Sequence, residues 1–150
     1  MTHFDHDFAE LVHDRAGRIA PDGRPLWGKM SRDQMFAHLC GVFEYCMGRR
    51  GVMPDRSSFY SRNILGPLIV NGIIKIPKNV KVPRPREDRD KPLPECSLDT
   101  LKTTMGEYMA KTQAGELDPP RHPFFGELGV DGWAKFNTRH IDHHMRQFGV

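Results

Sequence analysis

The chain of 150 residues has no long apolar run, and this absence excludes the simplest membrane architecture. Its most apolar window, Ile64 to Ile76, is interrupted by Pro67, Asn71 and Lys75, far short of the roughly 18 consecutive apolar residues of a spanning helix. Cysteine is scarce as well. Cys40, Cys46 and Cys96 are odd in number and form no C-x-x-C pair, so they fit neither a disulfide framework nor a thiol redox motif and read as reduced thiols. A strong charge of one sign is also missing. With 22 Lys and Arg against 19 Asp and Glu, the net charge is +3, too weak a bias to argue for nucleic acid by itself. The start of the chain, with His3, Asp5, His6 and Asp7, lacks the basic and apolar regions of a signal peptide, and a cytoplasmic protein is expected.

What is present is an ordinary globular balance: 38% hydrophobic and 27% charged residues, which excludes a disordered or collagen-like chain. This length suits one domain spanning residues 1–150. Phe4, Phe8, Leu11, Val12 and Ile19 recur at mostly helical spacing, with Thr2 able to cap and Gly17 near the end. Ser31 followed by Gln34 is a capping-box pattern. Behind it Met35, Phe36, Leu39, Val42, Phe43, Cys46 and Met47 repeat at helical period until Gly48. Phe59 to Lys75 suits either a buried helix around Gly66 and Pro67 or an irregular apolar cover, which periodicity does not separate.

Between Pro77 and Pro94 stand five prolines, and seven Lys or Arg lie between Lys75 and Lys91. That stretch is expected to run extended as a solvated connection, since it also carries Glu87, Asp88 and Asp90 and lacks interleaved aromatics. Ser97 opens a further amphipathic run that Gly115 stops. A last helix is expected from about Val130 to Gln147. Four long amphipathic segments without alternating strands imply an all-α four-helix bundle. The connection is long enough for a crossover, because about twenty extended residues at roughly 3.1 Å each outreach a sixteen-residue helix at about 1.5 Å per residue.

The eight histidines are the unusual count, three of them in the last eleven residues. With Trp133 at zero and about 100° per residue, His140 falls near −20° and His144 near +20°, inside the stripe flanked by Phe136, Ile141 and Phe148. Residues four apart on a helix hold their Cβ atoms about 5–6 Å apart, close enough for two imidazoles to share one ion. His38, one turn from Met35 and Val42, is the third candidate ligand, while His143 lies off the stripe near −80°. The competing reading is a set of hydrogen-bonded core histidines.

Ile141 stands where the zincin motif needs a glutamate base, so the metal itself must be the activator, polarising a carbonyl or generating hydroxide or thiolate. Gln34 and Gln147 are candidates to orient ligand rings, their alternatives being a helix cap and a solvated terminus. His122 is either a pocket-lining or a turn residue. Cys40 and Cys46 fall on the core stripe of their helix.

The string from Leu26 to Ser31 and on through Gln34 to Leu39, Leu-Trp-Gly-Lys-Met-Ser followed by Gln-Met-Phe-Ala-His-Leu, resembles one branch of the DinB-like superfamily, a branch of unknown function. So does His122-Pro123-Phe124-Phe125-Gly126-Glu127-Leu128, followed by Trp133 and the run from His140 to Gly149. The resemblance implies an up-down-down-up bundle with a long crossover. It also implies a divalent metal, zinc or nickel, held by His38, His140 and His144, and a dimer as in many members. Members include metal-dependent thiol transferases and isomerases that use low-molecular-weight thiols, and hydrolases. The commoner pattern places an acid after the first His of the pair and Arg-Gly-Gln after the second; here Ile141 and Met145-Arg146-Gln147 occupy those places.

Two functions of different class follow. The first is a metal-dependent enzyme of hydrolase or thiol-transferase type, acting on a small substrate with water or a low-molecular-weight thiol. The second is a non-catalytic bundle binding an apolar ligand or a partner protein, its histidines structural or vestigial. Neither a nucleic acid nor a membrane is expected as partner.

Overall fold

The computed structural model describes residues 4–150. Among them there is no strand, only an isolated bridge between His122 and Gly126. Five α-helices follow in order: α1, His6–Gly17; α2, Arg32–Cys46; α3, Gly66–Val70; α4, Leu98–Gln113; and α5, Gly129–Gln147. Among the described residues no helix is long and apolar enough to cross a membrane.

Local chemistry explains most of the boundaries. Ser31 Oγ accepts the Gln34 N–H at 3.1 Å while Gln34 Oε1 accepts the Ser31 N–H at 3.0 Å, so two orphan donors at the start of α2 are satisfied reciprocally. Ser97 caps α4 through the Thr100 N–H, and Gly115 follows its end at φ 69°. Thr2, expected to cap α1, lies outside the described residues; Asp5 is the N-cap, accepting from Phe8 N at 2.9 Å.

The apolar window after Phe59 is helical but irregular. A π-helical turn, Ser61–Leu65, runs directly into α3. Pro67 has no N–H to return to Asn63, and Gly66 N instead reaches back five residues to Ser61 O, which is the bond that widens the turn. A Cβ on Gly66 would stand 2.9 Å from Ser61 O and 3.0 Å from Phe125 Cβ, so glycine lets the turn sit against the loop before α5. The proline-rich stretch is extended only in part: a turn at Lys78–Asn79, where Asn79 takes φ 57°, and a 3-10 turn at Arg86–Asp88 that runs on into a turn at Arg89–Asp90 interrupt it.

One core joins the four longer helices. α2 lies against α4, α1 touches α4 and α5, and α5 also packs on α2 and α3. Phe4, Phe43 and Tyr108 meet edge-on or tilted at 5.0–5.4 Å, and Met35, Leu39, Leu101, Met105, Ile141 and Met145 close around them with almost no exposed surface. Each such side chain contributes about 1.5–3 kcal/mol by leaving water. Burial of Cys46 follows its place on this stripe. Cys40 is buried too, but its Sγ stands 3.6 Å from Cys96 Sγ at the far end of the proline-rich connection, a pairing of free thiols that the spacing in sequence does not show.

Candidate metal centre

His38 on α2 and His140 and His144 on α5 turn their rings toward a common point. His140 Nε2 lies 3.1 Å from His38 Nε2 and 3.1 Å from His144 Nε2, and the ligand atoms of all three residues fall within 4.8 Å of one another. The rings meet edge to face, with centroids 4.7–5.0 Å apart. Among the described residues no Asp, Glu or Cys completes this cluster. Two nitrogens bound to one tetrahedral ion at about 2.0–2.1 Å stand roughly 3.3 Å apart, so the observed spacing is close to what a shared ion requires.

The rings are held from behind. Gln147 Nε2 donates to the Trp27 carbonyl at 2.9 Å, which turns Gln147 Oε1 toward His144 Nδ1 at 2.7 Å. His144 therefore carries its proton on Nδ1 and presents a bare lone pair at Nε2. Phe136, one turn before His140, stacks on that imidazole at 5.2 Å and 18°. The Trp27 segment is clamped in turn, since Leu26 N donates to Gln147 O at 2.7 Å. Gly28 makes the approach feasible: its φ is +76°, and a Cβ there would stand 2.8 Å from Gln147 Nε2.

Electrostatics favour three neutral donors. Burial, then the neighbouring His144 and His38, hold His140 well below the usual imidazole range. Burial pushes His144 down to about 3, with His38 adding to it. His38 is the most open of the three in residue surface, yet protein packed around its ring lowers it to about 4, with His143 contributing. At neutral pH all three are uncharged bases, the form that binds a cation.

The other residues singled out by sequence divide clearly. Gln147 orients His144, the residue three before it. Gln34 is committed to the α2 cap and makes no hydrogen bond to His38. His143 is buried but lies outside the cluster, edge-on to Trp27 at 5.6 Å. His122 is a turn residue: its Nδ1 accepts from Phe124 N and Phe125 N, both at 3.1 Å, and its ring stacks on Phe125. Ile141, in the place of a base, is buried in the core. Sequence reasoning missed Trp27 as the anchor of Gln147 and Phe136 as the wall of His140. The four-residue spacing of Phe136 and His140 carried the second signal, whereas nothing local carried the first.

A family model described as a protein of unknown function, DUF1569, matches residues 6–149. The chain belongs to the DUF1569 family. The match runs through both blocks that build the centre, from the Trp27 segment and α2 to the end of α5, so the three histidines and Gln147 lie within the DUF1569 domain. No curated protein and no solved structure matches the chain.

Proposed function

We propose that this DUF1569 protein is a metal-dependent enzyme in which His38, His140 and His144 hold one divalent ion, zinc or nickel, that activates water or a low-molecular-weight thiol against a small substrate. The observation carrying this reading is the convergence of three Nε2 atoms from two helices, with the His144 tautomer fixed by Gln147. Without a cation, a His140 Nε2–H can donate to only one of the two nitrogens that stand 3.1 Å from it, so one close pair is left unmatched in a partly buried site, at a cost in free energy.

Held by three neutral imidazoles, such an ion keeps its full charge and supplies Lewis acidity to a bound oxygen or sulfur. The protein's part is positional: Gln147 and Phe136 fix the rings, and His38 leaves the cluster open on its side. Among the described residues no carboxylate joins the cluster to act as a general base. We further place the chain in the DinB-like superfamily, with up-down-down-up helices and the proline-rich connection as crossover. The all-helical architecture, the long, partly extended stretch between α3 and α4, and one ligand on α2 with two on α5 support that placement.

Cobalt substitution tests the reading. Metal-free protein given cobalt(II) is expected to develop the visible bands of a low-symmetry site, absent in the His140→Ala, His144→Ala double variant. A shift of those bands with added low-molecular-weight thiols assigns thiol chemistry. Bands indifferent to several thiols, with turnover of small esters, assign hydrolysis. Colourless protein in excess cobalt would contradict the proposal.

A further inference from the structure

The flank built by residues 56–86 combines exposed apolar side chains with charge of one sign. From Phe59 the chain is helical through the π-helical turn and α3 to Val70. Its inner side buries Gly66, Ile69 and Val70. Its outer side also carries large apolar groups, with Phe59 74%, Tyr60 57% and Ile64 44% exposed and Pro67 beside them, interrupted by the exposed Arg62 and Asn63. Clustered exposed apolar side chains rimmed by polar ones mark a contact surface. The turn that follows adds Ile73 at 69% and Ile74 at 37%, and the extended stretch beyond adds Val80 and Val82.

Charge on the same flank is one-sided. Between Asp55 and Glu87 there are seven Lys or Arg and no acidic residue. None of these seven cations is ion-paired among the described residues, whereas ten Lys or Arg elsewhere are. The apolar and basic parts are laid along one helix: α3 packs on α5, Gly72 sits against the Arg139 guanidinium of α5, and Lys78 Nζ lies 4.3 Å from the Trp27 ring, itself against His143 of α5.

We propose that this flank docks on the surface of an anionic lipid bilayer, its exposed aromatic and aliphatic side chains entering the headgroup boundary and its unpaired Lys and Arg meeting acidic headgroups. A second copy fits less well, because a symmetric contact through this flank would set an acid-free basic run against itself. Nucleic acid would satisfy the cations but gains nothing from Ile64, Ile73, Ile74, Val80 and Val82. Among the described residues no helix is long and apolar enough to cross a membrane, and the proposed contact is with the bilayer surface, a lipid partner that the composition does not announce.

The test is co-sedimentation of the full chain with phosphatidylcholine vesicles, plain or containing about 30% phosphatidylglycerol, at near-physiological salt. Binding is expected to the anionic vesicles and at least about tenfold weaker to the neutral ones. Phe59→Ser with Ile73→Ser, and separately Lys75→Gln with Lys81→Gln, should each weaken it by about tenfold while circular dichroism stays unchanged. All four residues are exposed, so both variants should keep the fold. Absence of vesicle binding overturns the proposal, as does equal binding to both vesicle types. So does a concentration-dependent dimer that Phe59→Ser with Ile73→Ser dissolves, or single-stranded DNA binding that the apolar variant leaves intact.

Discussion

Gln147 and Trp27, 120 residues apart in sequence, are joined by a hydrogen bond of 2.9 Å from the Gln147 amide to the Trp27 carbonyl. That bond decides which end of the Gln147 side chain faces His144, and so which nitrogen of His144 is free. A contact remote from the convergence point thus sets the chemistry at it.

Replacing Gln147 by Leu removes the acceptor for His144 Nδ1–H and is expected to weaken zinc or nickel binding by about 10–100-fold. Gln147→Glu keeps an acceptor there and should retain most of the affinity, although it loses the donor to Trp27. Competition titration against a chromophoric chelator measures both. Equal affinity in Gln147→Leu and the parent would show that packing alone holds the ring.

Gly28→Ala forces a Cβ into the space of the Gln147 amide at a backbone angle that L-residues resist. It should destabilise the fold by about 1–3 kcal/mol and loosen metal binding together. Ser31→Ala removes one cap bond of α2, should cost about 1 kcal/mol, and should leave metal affinity unchanged because the cap is not part of the cluster. Chemical denaturation paired with metal titration separates the two. A Gly28→Ala protein with parental affinity would sever the link from the Trp27 segment to the centre.

His122 is buried and neutral, its ring pushed down to about 3 by loss of solvent. Above the ordinary imidazole value of 6.5 the folded and unfolded chains carry the same proton there. As pH falls below 6.5 the unfolded chain gains a proton that the folded one refuses until about pH 3, so stability is lost across that window. Metal-free protein should therefore weaken from pH 6.5 downward. His122→Asn offers another acceptor to the Phe124 and Phe125 amides without titrating, and should reduce the slope between pH 4 and 5.5 by about 1.4 kcal/mol per pH unit. Denaturant melts over that range check this; identical slopes would mean that His122 protonates in the folded state.

The parts legible from sequence were those written within one turn or two of chain. The Ser31 and Gln34 box, the glycine stop after α4 and the four-residue spacing of His140 and His144 are local patterns, and each appears where its spacing places it. His38 was found because a periodic stripe fixes which way a helix faces. What sequence did not show depends on how distant segments register against one another. Gln34 could either cap or turn inward, and the Ser31 amide won. The anchoring of Gln147 by Trp27 and the approach of Cys40 to Cys96 arise only when a loop settles on a helix. The π-helical turn needed the bond from Gly66 to Ser61 to resolve an apolar window that periodicity left open.

The most direct test is metal content by mass spectrometry, on protein purified without a polyhistidine tag, beside the His140→Ala, His144→Ala double variant. About one equivalent of zinc or nickel in the parent and almost none in the variant is the expected result. No metal in either protein, even after incubation with both ions, would contradict a metal centre and leave a helical bundle whose histidines serve packing alone.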